Sequence, residues 1–83
     1  MYYVYILKSK KDNGYYIGQT SDLENRLEWH NQGLVKSTRN RTPLEIIYSE
    51  TFKTRGGAIK REKCLKRMKG GNEFKKIIKS ETK

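Results

Sequence analysis

Tyr16-Ile17-Gly18-Gln19-Thr20-Ser21-Asp22-Leu23-Glu24-Asn25-Arg26-Leu27-Glu28-Trp29-His30 is the stretch around which the chain is organised. It reads as the end of a strand, a tight turn and a first helix. Gly18 allows a backbone conformation that a Cβ would obstruct. Ser21 with Glu24 three residues on has the pattern of a capping box, which starts the helix at Ser21. Gly33 is a natural stop just past its end, so the spacing predicts a helix from Ser21 to Gln32. Arg26 and His30 are four residues apart and share a face, beside the buried side marked by Leu23 and Leu27.

Upstream, Tyr2 to Lys8 is rich in aromatic and β-branched residues and reads as a strand. Tyr3, Tyr5 and Leu7 lie on one face, and Tyr2, Val4 and Ile6 on the other. A strand apolar on both faces is covered on both, which places it centrally in a sheet. Lys10-Lys11-Asp12-Asn13-Gly14 is a turn with an Asn-Gly hairpin signal, and Tyr15 to Gly18 returns antiparallel. Downstream, Gly33 to Thr42 is a polar loop. Leu44 to Phe52 reads as a third strand in which Leu44, Ile46 and Tyr48 face one way. A second helix is expected from Arg55 to Lys69, its start blurred by Gly56 and Gly57 and its end set by Gly70-Gly71. Asn72 is the expected cap of a third helix with Phe74, Ile77 and Ile78 as its stripe. The last few residues are expected to fray. The order β-β-α-β-α-α, with a three-stranded antiparallel sheet flanked by helices, is α+β, and residues 1–83 read as one domain.

A chain of 83 residues buries only roughly 60% of its unfolded surface, so a shallow cleft is expected rather than a deep pocket. Nineteen basic against nine acidic residues leave a net charge of +10. That implies an anionic partner, nucleic acid first and a membrane surface or acidic protein second. Cys64 is the single cysteine, which excludes an internal disulfide, and one cysteine with one histidine cannot build a structural zinc tetrahedron. There is no apolar run long enough to span a membrane, and Met1-Tyr2-Tyr3 lacks the basic segment of a secretory signal. Cytoplasmic residence is the expectation.

The residues themselves leave two readings at each chemical position. Glu62 interrupts the apolar stripe of Ala58, Ile59, Leu65 and Met68. It is either a functional carboxylate kept at a cost or a rim glutamate paired with Lys66 at i+4. Tyr5 and Tyr16 read in isolation as packing residues. Arg26 is a solvated or Asp22-paired arginine, or a guanidinium for a phosphate. His30 is a helix-end histidine or a proton relay. Lys36, Arg39 and Arg41 in the loop, with Lys60, Arg61, Lys66 and Arg67 on the second helix, form a solvated basic surface or a track for a phosphate backbone.

Tyr3-Val4-Tyr5 and Tyr16-Ile17-Gly18 together resemble the two halves of the GIY-YIG signature. Arg26 stands where that family has a helical arginine, His30 where many members have a histidine, and Glu62 where a glutamate follows on a later helix. The whole chain is similar to small stand-alone bacterial GIY-YIG proteins, relatives of the nuclease subunit of the Slx structure-specific endonuclease. The resemblance implies a metal-dependent endonuclease. Glu62 would hold one Mg²⁺ (or Mn²⁺), Arg26 would stabilise charge on the phosphate, Tyr5 or Tyr16 would activate or orient water, and His30 would assist. The implied substrate is DNA, selected by structure or context as in repair, with a partner protein as a possible source of specificity. Tyr3 replaces the first glycine of the signature, Gln19 stands where some members carry lysine, and Lys63 where some carry asparagine. The alternatives are a DNA- or RNA-binding module that kept the fold without the chemistry, and an interaction protein that docks its basic second helix on an acidic partner or membrane.

Overall fold

The computed structural model describes residues 1–69 and 71–81. Three strands, β1 (Tyr2–Ser9), β2 (Tyr15–Thr20) and β3 (Leu44–Phe52), form an antiparallel sheet in the order β2-β1-β3. Helix α1 (Leu23–Asn31) follows β2, α2 (Arg55–Met68) follows β3, and α3 (Asn72–Glu81) closes the chain. The architecture is α+β, with the predicted element order and with β1 in the centre. A short 3₁₀ turn at Arg39–Arg41 is the only regular element within the polar loop among the described residues. The expectation for the chain's end falls largely outside those residues, as does Gly70.

Because side chains alternate along β1, its two faces serve two separate cores. Val4 and Ile6 pack with Ile17, Ala58, Leu65 and Phe74 under α2 and α3. Tyr5 and Leu7 pack with Leu44, Tyr16, Leu23, Leu27 and Ile46 under α1. The first face carries the larger core; the second is thinner and built around a tyrosine.

Three local expectations are corrected. The cap of α1 is Asp22, not Ser21: the Asp22 carboxylate accepts from the Asn25 backbone N–H and from its side-chain amide. Thr20 Oγ1 accepts from the Asp22 N–H, which sets that residue at the helix mouth. Gly33 does end the helix, in the left-handed region at φ 78°. Its N–H bonds to the His30 carbonyl and that of Leu34 to the Trp29 carbonyl, the pairing of a Schellman motif. Secondly, Tyr48 does not share a face with Leu44 and Ile46. The register passes from Ile6↔Tyr48 to Leu7↔Ile46, so Ile47 is one extra residue, and Tyr48 packs on the α2 face. A bulge re-aims every residue beyond it. It thereby sends Tyr48 and Glu50 towards Arg61, which donates to the Glu50 carboxylate at 3.0 Å through both Nε and Nη2. Thirdly, Asn72 is the first residue of α3 rather than its cap, and the Lys75 N–H bonds to the Gly71 carbonyl. At the second helix, Thr54 Oγ1 accepts from the Gly57 N–H and fixes the start that the glycines had blurred.

Leu65 is fully buried between α2 and β1. Leu65→Ala is expected to cost about 2–5 kcal/mol, read as a lower midpoint in chemical denaturation; a loss below about 1 kcal/mol would contradict this packing.

Candidate active site

Tyr5 lies across Gly18, its partner in the β1–β2 ladder. A Cβ at Gly18 would stand 2.5 Å from the Tyr5 hydroxyl and 3.2 Å from Tyr16 Cε2. Gly18 has no positive φ. The glycine is required by the close approach of two tyrosines rather than by backbone conformation, as the sequence had suggested. The Tyr5 and Tyr16 ring centroids are 6.5 Å apart, and the His30 ring lies edge-on to both, at 6.0 and 5.0 Å. Residues eleven and twenty-five positions from Tyr5 thus share one cluster.

His30 is completely buried, and both ring nitrogens have partners. Nε2 is 3.2 Å from the Tyr5 hydroxyl and Nδ1 is 2.7 Å from Thr38 Oγ1. Thr38 Oγ1 in turn donates to the Val35 carbonyl at 3.5 Å. One assignment satisfies the whole row: the Tyr5 O–H donates to Nε2, Nδ1–H donates to Thr38, and the ring is neutral. Burial, aided by the positive charge of Arg26, lowers the pKa of His30 below the ordinary histidine value, which agrees with that tautomer. Burial, followed by the neighbouring Tyr16, raises the pKa of Tyr5, so Tyr5 stays protonated and donates.

Thr38 was not a candidate in the sequence, because a threonine in a polar loop carries no spacing signal. The loop is fastened to the hairpin turn. Buried Ser9 donates to the Arg41 carbonyl, Lys11 to the Asn40 carbonyl, and Arg41 Nε to the Asp12 carboxylate at 3.1 Å. Asn31, beside His30, clamps α1 to β3. Its side-chain amide donates to the Leu44 carbonyl at 3.0 Å and accepts from the Leu44 N–H at 2.7 Å. These contacts leave His30 no freedom to turn.

Arg26 is half-buried at the edge of the cluster. Its charge acts on both Tyr5 and His30, and no carboxylate among the described residues forms an ion pair with it. Asp22, its possible intrahelical partner, is occupied by Asn25. Glu62 stands on α2, across the sheet, with its side chain 19% exposed, and its charge also reaches Tyr5. One of its oxygens holds Lys66 Nζ at 3.0 Å. Beside Gly18, the Gln19 Oε1 atom is buried without a hydrogen-bond partner. Among the described residues no group of three or more His, Cys, Asp or Glu side chains could hold a metal. A metal at Glu62 would therefore keep most of its shell as water or substrate oxygen, a habit of Mg²⁺.

Two tyrosines over a glycine and a histidine from α1 form one cluster, and the charges of Arg26 on α1 and Glu62 on α2 both act on its Tyr5. A family model described as the GIY-YIG catalytic domain matches residues 1–77. The chain belongs to the GIY-YIG family. That is a nuclease family. This GIY-YIG domain is 43% identical over 68 residues to a UPF0213 protein of Streptococcus pneumoniae, covering 81% of this chain and 68% of that one. It is 37% identical over 81 residues to one of Listeria welshimeri, covering 96% and 89%. A UPF0213 protein of Bacillus halodurans, solved in solution by NMR, superposes with a TM-score of 0.49 at 31% identity, covering 89% of this chain and 92% of that one.

The basic residues divide. Arg41 and Arg61 are tied to Asp12 and Glu50, and Lys66 leans on Glu62. Lys36, Arg39, Lys60 and Arg67 are exposed. Lys60, Lys66 and Arg67, with Lys63, which the sequence marked only as a departure from the family pattern, line an open groove of about 410 Å³ on α2. Among the described residues no helix is long and apolar enough to cross a membrane.

Gly18→Ala is expected to push the Tyr5 hydroxyl off His30 and to destabilise the fold by about 1–3 kcal/mol. An unchanged denaturation midpoint would mean that the Tyr5 ring is not held against the strand. Because the His30 pKa is lower folded than unfolded, its contribution to stability is full above the ordinary value of 6.5 and is lost as pH falls below it. Asp12 and Glu50 also have lowered values, but from ordinary carboxylate values of 3.8 and 4.5, so they act at lower pH. The thermal midpoint should therefore drop between about pH 7.5 and about pH 5. His30→Gln should start lower and lose most of that slope; an equal slope in both proteins would place the titration elsewhere.

Proposed function

We propose that this GIY-YIG domain is a divalent-metal-dependent endonuclease that hydrolyses phosphodiester bonds in DNA, selecting its target by structure or context. The observation that carries the reading is Arg26: a half-buried guanidinium without a carboxylate partner among the described residues, whose charge acts on both Tyr5 and His30. An unpaired cation held there by the fold calls for an anion, and a planar fork suits two phosphoryl oxygens.

In the proposed reaction Arg26 binds the scissile phosphate and gains strength as charge accumulates on it. Tyr16, half-exposed where Tyr5 is buried, is the phenol that water can reach, and it orients the attacking water. Tyr5 donates to His30 and keeps its own ring in place, so its part is positioning rather than deprotonation. Glu62 is the residue that would hold Mg²⁺ or Mn²⁺, which when bound would polarise the phosphoryl oxygen and steady the leaving oxygen. Lys36, Arg39, Lys60 and Arg67 contribute salt-sensitive backbone contacts that carry no base-sequence information. A role in repair, with a partner protein that adds specificity, belongs to the same reading.

A second reading, a binding module without chemistry, is favoured by one observation: Lys66 already neutralises Glu62.

End-labelled duplex, single-stranded, flapped and four-way-junction DNA incubated at low salt with Mg²⁺ or Mn²⁺ separates the two. Cleavage by the native protein is expected. Arg26→Ala and Glu62→Gln should each lower it by about a hundredfold or more, while binding by Glu62→Gln persists. Tyr16→Phe should lose more cleavage than Tyr5→Phe. Bound but uncut DNA in every lane would favour the binding module.

A further inference from the structure

We propose that Trp29, on the face of α1 next to Arg26, is a stacking site for an unpaired nucleobase of the DNA strand held at the active site. The proposal rests on the nuclease reading for the identity of the polymer and adds what that reading lacks, a source of selectivity for strands that are not fully paired.

Trp29 is the single tryptophan of the chain and is 48% exposed on a helix of only nine residues. It belongs to neither hydrophobic core. Its turn of α1 otherwise presents Glu24, Asn25 and Glu28 to solvent, so the exposed half of the ring stands as an apolar face on a polar surface. Leu34, 67% exposed, leaves the same helix end, its N–H bonded to the Trp29 carbonyl at 3.0 Å. Among the described residues the exposed large hydrophobic side chains are Met1, Trp29 and Leu34, so two of the three lie together beside the active-site helix.

The second observation is the Arg26 guanidinium, 5.2 Å from the centroid of the Trp29 ring. Arg26 also acts electrostatically on Tyr5 and His30. One cation therefore lies over the exposed indole while its charge acts on Tyr5 and His30. A phosphate bound by Arg26 brings a base of the same strand within reach of Trp29. The occupant must be both anionic and flat: the net charge of +10 and the unpaired guanidinium supply the first requirement, the open indole the second. In an intact duplex each base is already stacked on its neighbours and offers no free face. A single strand, a flap or a splayed junction does. The basic groove on α2 cannot make this distinction, because phosphate contacts read no bases.

The test uses the complete chain with EDTA present, so that no strand is cut. The fluorescence of its one tryptophan reports directly on stacking. Three oligonucleotides of equal phosphate number are titrated: a base-bearing single strand, an abasic single strand and a duplex. Fluorescence anisotropy of labelled strands measures binding in parallel. The base-bearing strand should quench Trp29 strongly, and the abasic strand and duplex should not. Trp29→Leu should bind the base-bearing strand about tenfold more weakly and the abasic strand as the native protein does. Trp29→Phe, which keeps an aromatic face, should recover most of the loss. Equal quenching by base-bearing and abasic strands, or equal affinity of the native and Leu proteins for the base-bearing strand, overturns the stacking site and leaves the nuclease reading standing. Failure of all three strands to bind overturns both.

Discussion

His30 is a fully buried polar ring, and the interior can hold it only if both nitrogens are satisfied. Its two hydrogen-bond partners come from distant parts of the chain: Tyr5 from the central strand and Thr38 from the loop after α1. Tyr16, from the edge strand, supplies the ring against which it packs. Removing either partner would leave a buried polar atom unpaired, at a cost of about 1–3 kcal/mol. The same bonds fix the neutral tautomer and hold the Tyr5 hydroxyl over Gly18. The site and the α1 side of the core are thus one construction.

The two faces of the sheet are built differently. On one face, α2 and α3 bury Leu65, Ala58 and Phe74 against Val4, Ile6 and Ile17. On the other, one short helix covers a core in which Tyr5 is the largest buried side chain. The bulge at Ile47 changes which residues of β3 face α2. Ile46 stays with α1, while Tyr48 and Glu50 turn to engage Arg61. Burial opposes ionisation of Glu50, but the hydrogen bonds from Arg61 and Tyr48 outweigh it and leave its pKa lowered. The resulting link between α2 and β3 is internal to the fold and holds in place the helix that carries Glu62.

The excess of positive charge is likewise partitioned. Arg61 and Arg41 are spent on structure, one joining α2 to β3, the other joining the loop to the hairpin turn. Arg26 has no such partner among the described residues and leans instead on an exposed indole. A net charge counts all three alike. Only their surroundings distinguish a cation that holds the fold from one left available to an anion.

Much of the architecture was legible because it rests on local rules. Alternation placed both faces of β1, Gly33 ended α1 through its left-handed conformation, and the ordered tyrosines, arginine, histidine and glutamate carried the family. The cap at Asp22 rather than Ser21 was a choice between adjacent residues with nearly equal propensity, settled by Thr20 holding the Asp22 N–H. The sequence by itself determined the order of elements, the central strand and the residues that carry the family match, since periodicity and residue type act over a few neighbours. Tertiary structure alone decided which face Tyr48 would take, that Thr38 would complete the histidine, that Gly18 is needed for space, and which arginines the fold ties to carboxylates. Each of those depends on what stands across the sheet or across a loop, and no pattern along the chain records which residues the fold will set side by side.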